Sequence, residues 1–294
     1  MAHPSGSTVE IALFGAHVIS FTTANHPDQD VLFMSKESVM DGVKPLSGGI
    51  PIVFPNFGSS VGFKAPGHGF ARTTKWSVVS VIPSKNEIIN SVATFRMESS
   101  DATRGMWHFE FELEYEVMLS SDCIQTTLTV HNTDSKAIEF HALLHNYIHT
   151  NDHLKHGVKI SGLQGVHYFD QLTKTNNTET RESFPITKEI DNIYKNVKTD
   201  VAAYIEGDKY DQVVAVLKIG SVVGGGHIPV YTDTDCVIWN PGKVRAKGTE
   251  DFGDEEYRYM VAIEPGRVSE YQVLAPGMVY QLNQVISVSE AATK

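Results

Sequence analysis

Polar and apolar residues alternate along much of the chain with the two-residue period of a β-strand. The clearest stretch is HFEFELEYEV, residues 108–117, in which five apolar side chains alternate with five polar ones. This period places the apolar residues on one face of a strand and the polar residues on the other. A β-branched stretch, IQTTLTVHN, follows after the turn residues LSSD. The pattern therefore predicts a half-buried β-hairpin.

Turn-forming residues separate many other short stretches that are rich in Val, Ile, Phe, Tyr and Thr. This arrangement is typical of a large antiparallel β protein. No 12-residue window shows a convincing amphipathic helix, and only residues 38–42 and 185–192 are candidates for short helical turns. No internal repeat or linker divides the chain. We therefore predict an all-β fold with one domain spanning residues 1–294.

Composition narrows the class of protein and its partners. The 294 residues are 41% hydrophobic and 20% charged, as in ordinary globular proteins. The net charge of −11 argues against nucleic acid or an anionic membrane as the main partner. The N-terminus lacks a signal-peptide pattern, and no apolar run reaches the roughly 18 residues that a membrane helix needs. Two distant cysteines indicate no disulfide framework. We expect a reduced, cytoplasmic protein that binds neither nucleic acid nor membrane.

The segment EFHALLHNYIHTNDH, residues 139–153, carries four histidines at intervals of four residues. On a helix, His141, His145 and His149 would share one face and could bind zinc, as in a metallohydrolase. Two observations weaken that interpretation: the Glu of an HExxH motif is missing, and the segment directly follows a β-patterned stretch.

On a strand, the same segment divides into an apolar face and a mixed face. The apolar face takes the even positions, with Asn146 as the exception: Phe140, Ala142, Leu144 and Ile148. The odd positions place His141, His145 and His149 beside Leu143 and Tyr147. A face that is half polar and half aromatic is typical of a sugar-binding cleft, so the strand interpretation predicts a functional site here.

Glu264 ends the apolar stretch YRYMVAIEPG and shares a predicted strand face with Met260 and Ala262. Burial would raise the pKa of this carboxyl and suit it to act as a general base near neutral pH. The alternative is a strand-end Glu that points into solvent before the Pro265–Gly266 turn. Both interpretations are open from the sequence pattern.

Several motifs occur in the same order as in the glucose-6-phosphate 1-epimerases, which are hexose-6-phosphate mutarotases of the aldose 1-epimerase superfamily. The motifs are LFGAHVISF, DGVKPLSGGIPIVFPNFG, GHGFAR, IEFH, ALLHNYI, VIWNP, DFGDEEYRYMVAIEPG and LAPGMVY. The resemblance covers the chain from Leu13 to Tyr280. It implies a large antiparallel β-sandwich of the galactose-mutarotase type that interconverts the α and β anomers of a hexose 6-phosphate, most simply glucose 6-phosphate.

The resemblance also implies roles for individual residues. His145 corresponds to the family's general acid and Glu264 to its general base. Arg72 of HGFAR resembles a ligand of the substrate or its phosphate, with His68 beside it. Asp191 resembles the acidic residue that binds sugar hydroxyls. Asp170 in YFDQL is a second candidate for that role.

Two departures from the family pattern bear on phosphate binding. The family usually has an Arg directly before the Gly-Gly of GGIP, where this chain has Ser47, and a Gln before HGFAR, where it has Gly67. A hydroxyl does not replace the bidentate, charge-assisted contact of a guanidinium with phosphate. Lys44 and Lys64 are candidates to supply the missing charge.

Two alternatives to a hexose 6-phosphate anomerase therefore remain open. The chain could be an anomerase of unphosphorylated aldoses, or a non-catalytic sugar-binding protein of the same fold. The chemistry needs no metal, nucleotide or flavin, and no motif for one is present, so we expect no cofactor. We expect a monomer whose partner is a small sugar phosphate. His153, His156 and His167 are expected on the surface.

Overall fold

Antiparallel β-strands make up most of the molecule, as the alternating pattern predicts. The structure is a computed structural model that describes residues 1–59, 64–207, 210–224, 226 and 228–291. The strands are β1 (Thr8–Ala12), β2 (His17–Thr23), β3 (His26–Asp30), β4 (Ile52–Val53), β5 (Ser77–Ile82), β6 (Ser91–Glu98), β7 (Phe111–Leu119), β8 (Cys123–Asn132), β9 (Ile138–Leu144), β10 (Tyr147–His149), β11 (Val158–Ser161), β12 (His167–Asp170), β13 (Thr175–Thr178), β14 (Ser183–Pro185), β15 (Ile190–Tyr194), β16 (Val201–Ile205), β17 (Gln212–Val223), β18 (Val230–Thr232), β19 (Asp235–Asn240), β20 (Met260–Leu274) and β21 (Val279–Glu290).

Helices are few and short. Two are α-helical, α1 (Asp101–Met106) and α2 (Gly242–Ala246), and two are 3₁₀-helices, Ala71–Thr73 and Glu256–Tyr259. Within the described residues, none of these helices has the length and apolar character needed to cross a membrane.

The strands form two large sheets and one small one. The eight-stranded sheet has the order β13-β12-β15-β19-β20-β9-β4, and β10 also pairs with β20. The ten-stranded sheet has the order β14-β11-β16-β17-β21-β8-β7-β6-β5, and β18 also pairs with β17. Strands β1, β2 and β3 form the small sheet. Both large sheets combine strands from early and late parts of the chain. The single domain spanning residues 1–294 stays a prediction.

The predicted hairpin is confirmed as β7 and β8, which pair along their whole length. Every second side chain of β7 is buried in the main hydrophobic core: Phe111, Leu113, Tyr115, Val117 and Leu119. The strand begins three residues later than the sequence pattern, because α1 and the residues that follow it precede Phe111. This core contains residues of both large sheets and therefore lies between them.

The histidine segment is a strand with a break, formed by β9 and β10, and its two faces separate as the strand interpretation predicts. The even positions join the main core: Phe140, Ala142, Leu144 and Ile148. The odd positions Leu143 and Tyr147 belong to smaller apolar clusters outside that core. The outer face of the eight-stranded sheet is therefore apolar in part and free to carry a site.

Asn146, the polar exception on the inner face, has a partner in the other sheet. Its side-chain amide donates to the carbonyl of Ile263 and to Oε1 of Gln284, both at 2.8 Å. The Gln284 amide donates back to Asn146 at 3.0 Å and to the Thr126 hydroxyl at 3.1 Å. These hydrogen bonds offset the cost of burying both amides between the sheets.

The two predicted helical turns are wrong. In residues 38–42 the Asp41 carboxylate accepts the amides of Val43 and Lys44, a local turn that competes with a helix. Residues 185–192 run from the end of β14 into β15, and Ile186 donates its amide to the carbonyl of Val158. Pairing with a neighbouring strand overrides the weak helical tendency there.

The prediction that His153 lies on the surface is also wrong. Its side chain is buried against Tyr257, with the ring centroids 6.0 Å apart. His167 is exposed, as predicted. The sequence around His153 is polar, and its burial depends on the distant 3₁₀-helix Glu256–Tyr259.

Candidate active site

Side chains on the outer face of the eight-stranded sheet line a cavity of about 400 Å³. Residues of three neighbouring strands, β15, β19 and β20, form its floor. Asp191 of β15 pairs with Trp239 of β19, and Val237 of β19 pairs with Glu264 of β20. Surrounding loops and α2 form the walls.

His145 enters this floor through the break between β9 and β10. The end of β9 nearest the break and the whole of β10 pair with β20 in the same register, so His145, in the gap between them, lies opposite Glu264. The His145 backbone amide donates to the carbonyl of Pro51 at 3.0 Å, which holds the gap against the neighbouring segment. The His145 Nε2 atom lies 3.5 Å from Oε2 of Glu264. Residues 119 positions apart in sequence thus become direct neighbours across a strand pair.

The two side chains are almost completely enclosed. The side chain of His145 is 10% exposed and that of Glu264 is 1% exposed. Neither Nδ1 of His145 nor Oε2 of Glu264 has a hydrogen-bond partner among the described residues. Buried polar atoms without partners are costly, and active sites are where such atoms persist because a ligand satisfies them.

Burial shifts both groups towards their neutral forms. Desolvation raises the pKa of Glu264 well above its ordinary value, and the charge of Asp191 adds to the shift. Desolvation lowers the pKa of His145 well below its ordinary value, and the nearby His68 and Arg72 act in the same direction. Burial therefore favours a neutral imidazole beside a carboxylic acid, a pair that holds one transferable proton.

Two aromatic side chains form one wall next to the pair. The ring of Tyr147 stacks on that of His145, with centroids 4.6 Å apart. Trp239 presents its ring edge-on to both, at 5.8 Å from each. Flat aromatic surfaces beside polar groups suit the mixed apolar and hydroxylated surface of a sugar. The sequence analysis singled out the VIWNP motif, but it did not assign Trp239 to the site.

The HGFAR loop reaches the cavity because its glycine passes directly against another segment. Gly69 has a φ of +75°, and a Cβ at this position would lie 1.9 Å from the carbonyl oxygen of Phe54. No other residue fits there without moving the backbone. The tight approach brings His68 and Arg72, which lies in the short 3₁₀-helix that follows, to the cavity.

His68 and Arg72 present hydrogen-bond donors to the cavity. The Gly58 amide donates to Nδ1 of His68 at 3.4 Å, which leaves the proton of a neutral ring on Nε2. Burial, with the charges of Arg72 and Arg245, lowers the pKa of His68 to about 3. The Arg72 guanidinium donates to the carbonyl of Gly67 at 2.9 Å, while its buried Nε atom has no partner among the described residues.

Asp191 lies at the opposite side of the floor and is held by two side chains. Gln171 donates to one carboxylate oxygen at 2.6 Å, and Arg245 of α2 donates to the other at 3.1 Å. Arg245 lines the cavity and was not singled out from the sequence. It lies in a charged stretch, VRAKGTED, that gives no local sign of contact with a strand 54 residues away.

Asp170, the second candidate ligand for sugar hydroxyls, does not line the cavity. Its carboxylate accepts the amides of Leu172 and Thr173, at 2.8 and 3.1 Å, in the turn between β12 and β13. Gln171 lines the cavity in its place. Five of the six predicted site residues therefore come together, and Asp170 is the one that does not.

The sequence profile of the aldose 1-epimerases matches residues 1–287 of this chain. The chain belongs to the aldose 1-epimerase family. Its curated relatives include a "Putative glucose-6-phosphate 1-epimerase" of Cenchrus ciliaris, 30% identical over 91% of this chain and 77% of the relative. A protein of the same name from Escherichia coli is 27% identical over 95% of this chain and 86% of the relative.

Solved structures share the fold of this chain. The structure described as "a putative mutarotase (YeaD) from Salmonella typhimurium" superposes with a TM-score of 0.81 at 24% identity, over 98% of this chain and 89% of that one. A galactose mutarotase related enzyme from Lactobacillus acidophilus has a TM-score of 0.72 at 17% identity, over 100% and 97%. The predicted galactose-mutarotase-like fold is confirmed, and family membership supports an epimerase that interconverts sugar anomers.

The aldose 1-epimerase cavity of this chain departs from the family pattern at Ser47, where the expected guanidinium is missing. The Ser47 hydroxyl donates to the Asp251 carboxylate at 2.6 Å. Neither lysine considered as a substitute lines the cavity. Lys44 pairs with Glu250 at 3.3 Å on the surface, and Lys64 is exposed. The guanidiniums of the cavity are those of Arg72 and Arg245.

The other histidines of the segment do not join His145 in a common site. His141 accepts the Phe57 amide at 3.2 Å and stacks on Tyr271. His149 lines a different cavity, beside Asp30. No group of three or more His, Cys, Asp or Glu side chains is arranged to hold a metal ion in the described part of the chain. The four-residue spacing reflects alternate positions on a broken strand.

Proposed function

We propose that this aldose 1-epimerase interconverts the α and β anomers of a hexose 6-phosphate, with glucose 6-phosphate as the first substrate to test, and that His145 and Glu264 carry the proton transfers. The observation that carries the proposal is the close approach of His145 and Glu264 at the cavity floor. The two side chains are buried, 3.5 Å apart, and each keeps a polar atom without a partner.

Ring opening requires that one proton leaves the anomeric hydroxyl while another reaches the ring oxygen and the C1–O5 bond breaks. The neutral pair can do both, because the Glu264 carboxylic acid donates and the His145 imidazole accepts. The opposite assignment, His145 as acid and Glu264 as base, differs only by transfer of one proton between them. After rotation about C1–C2 the groups exchange roles and the ring closes on its other face. Each such transfer contributes about 10² to 10⁴ in rate.

Binding of the sugar hydroxyls falls to the remaining donors and acceptors of the floor. Asp191 can accept from two hydroxyls while Gln171 and Arg245 hold its orientation. The Nε2 proton of His68 is available as a donor close to the His145 ring, since the two centroids are 5.9 Å apart. Positioned groups of this kind fix the anomeric centre against the catalytic pair.

The phosphate preference is supported by the two guanidiniums of the cavity and by the names of the relatives. Arg72 is the stronger candidate ligand, because no carboxylate among the described residues lies within 4.0 Å of it. Arg245 would divide its donors between Asp191 and the phosphate. Planar guanidiniums suit this task because each can make two parallel hydrogen bonds to phosphate oxygens.

A second candidate, anomer exchange of unphosphorylated aldoses, is favoured by the hydrogen bond from Ser47 to Asp251. It leaves a carboxylate in the cavity near the position where the family has a cation. A carboxylate repels a phosphate dianion and accepts hydrogen bonds from a neutral sugar hydroxyl.

The rate of anomer exchange, measured by NMR saturation transfer on glucose 6-phosphate and on glucose, tests both candidates. The Glu264→Gln variant serves as a matched control for exchange catalysed by the buffer. Acceleration that is greater for glucose 6-phosphate than for glucose supports the proposal, and acceleration of glucose alone replaces it with the second candidate. Binding of either sugar without any acceleration would make the chain a non-catalytic sugar-binding protein.

A further inference from the structure

A second, smaller cavity of about 280 Å³ lies on the far side of α2 from the active site. Its walls come from the turn after β10, from the segment between β14 and β15, and from the first residues of α2. It shares no lining residue with the catalytic cavity. Nothing in the proposed reaction uses it.

Two lysines give this cavity a local positive charge. Lys188 and Lys243 both line it, and both side chains are exposed. Across the described ranges no carboxylate lies within 4.0 Å of either ammonium group, as is also true of several other exposed lysines of the chain. Two cations at one opening favour an anion there, against the net charge of −11 of the whole chain.

The back wall of the cavity contains a buried imidazole. His153 is 8% exposed, and its Nδ1 atom is buried without a hydrogen-bond partner among the described residues. Burial lowers the pKa of His153, so the ring is neutral near pH 7. A neutral ring places its proton on the nitrogen that can still reach a partner, here Nε2, because a buried N–H without an acceptor is costly.

Glu189 is the carboxylate that lines this cavity, and it also interacts with a cation outside the cavity. Its Oε1 atom lies 4.0 Å from the guanidinium of Arg245, on the active-site side of α2. The hydroxyl of Thr187 is also among the lining groups. The cavity therefore combines two ammonium groups, one imidazole N–H and one hydroxyl, which can donate to an anion, with the single carboxylate of Glu189.

We propose that this cavity is a second binding site, for a small phosphate-bearing anion, formed by Lys188, Lys243 and His153. Lysines act as point charges that satisfy phosphate oxygens without demanding a fixed geometry. A volume of about 280 Å³ accommodates a phosphate group with a small organic body. The site is independent of the reaction proposed above, since no catalytic side chain contributes to it.

The test is a titration of the full-length protein with inorganic phosphate, followed by the backbone amide shifts of residues 187–189 and 243–244. Sodium chloride at equal ionic strength is the reference. The shifts are expected to saturate with phosphate and not with chloride. In the Lys188→Ala/Lys243→Ala double variant the affinity at these amides should fall at least about tenfold. Equal shifts with chloride, or an unchanged affinity in this variant, would overturn the proposal.

Two further variants separate a built site from general attraction of anions. The Lys136→Ala/Lys195→Ala double variant removes the same charge from exposed lysines elsewhere and should leave the affinity unchanged. The His153→Gln variant should weaken binding severalfold while both ammonium groups remain. If the charge-matched control weakens binding as much as Lys188→Ala/Lys243→Ala does, net charge and not the cavity is responsible. Shifts confined to the catalytic cavity would likewise assign phosphate to Arg72 and Arg245 alone.

Discussion

Two buried polar pairs lie on opposite faces of the same stretch of sheet. Asn146 points to the inner face and exchanges hydrogen bonds with Gln284 of the other sheet, so that both amides are satisfied. His145 points to the outer face towards Glu264, and each member keeps an atom without a partner. Adjacent residues of one segment thus have different roles. The inner pair contributes to the stability of the interface between the sheets, whereas the outer pair retains unsatisfied groups that a substrate can use.

The largest expected effect comes from replacing either side chain of the outer pair with one that does not transfer a proton. Glu264→Gln and His145→Gln should each lower the rate of anomer exchange by at least about 10². The free energy of unfolding should stay within about 1 kcal/mol, because Gln replaces a group that burial already keeps neutral. Anomer exchange and urea unfolding of the same preparations check the two parts. Near-normal turnover in either variant would assign the chemistry to other residues and break the comparison.

Removing the inner pair should have the opposite outcome. Gln284→Ala leaves the Asn146 amide unpaired between the sheets, so the free energy of unfolding should fall by about 2 to 4 kcal/mol. The rate of anomer exchange should stay within about threefold. Gln281→Ala is the matched control, since Gln281 lies on the same strand and is partly exposed. A loss of activity with little loss of stability would mean that the inner pair positions the catalytic groups.

Strand periodicity was sufficient to predict these two faces. The alternation around Phe140 and Leu144 depends only on local geometry, so it could be predicted from the sequence. The partner of Asn146 could not, because the register between two sheets depends on a strand 138 residues away. His145 and Glu264 were identified as a pair only through resemblance to a family, and a register across β20 brings them together.

Two residues of the site, Arg245 and Trp239, escaped prediction. Arg245 lies on a five-residue helix with no apolar periodicity, and Trp239 lies in a mostly buried strand whose pattern does not mark it as a site residue. Asp170 was the second candidate for binding sugar hydroxyls, but turn geometry directs its charge to local backbone amides. Side-chain chemistry alone does not distinguish a turn-forming carboxylate from a ligand.

A smaller effect is expected from the charges around the outer pair. Arg245→Gln should raise KM for glucose 6-phosphate about tenfold through loss of a charge-assisted hydrogen bond, with less change for glucose. Lys44→Ala, which removes an exposed cation paired with Glu250, should change neither value. Parallel kinetics on both sugars check this prediction. An equal change for glucose would assign Arg245 to holding Asp191 and not to phosphate.

The smallest expected effect concerns pH, and it separates the titratable outer pair from the amide pair, which does not titrate. The pair works only while the imidazole of His145 remains neutral. Because burial lowers the pKa of His145 well below its ordinary value of 6.5, this protonation occurs only at lower pH. The value of about 3 for His68 keeps that ring neutral as well.

Lowering the pH from about 7.5 to about 5.5 should therefore change kcat at saturating glucose by less than about twofold, whereas a histidine of ordinary pKa would lose most of its neutral form. Glucose 6-phosphate is unsuitable as the probe in this range because its phosphate titrates near pH 6. A steep fall in kcat centred near pH 6.5 would show that the outer pair is solvated in the working enzyme, and the contrast with the enclosed inner pair would then be one of hydration as well as of hydrogen bonding.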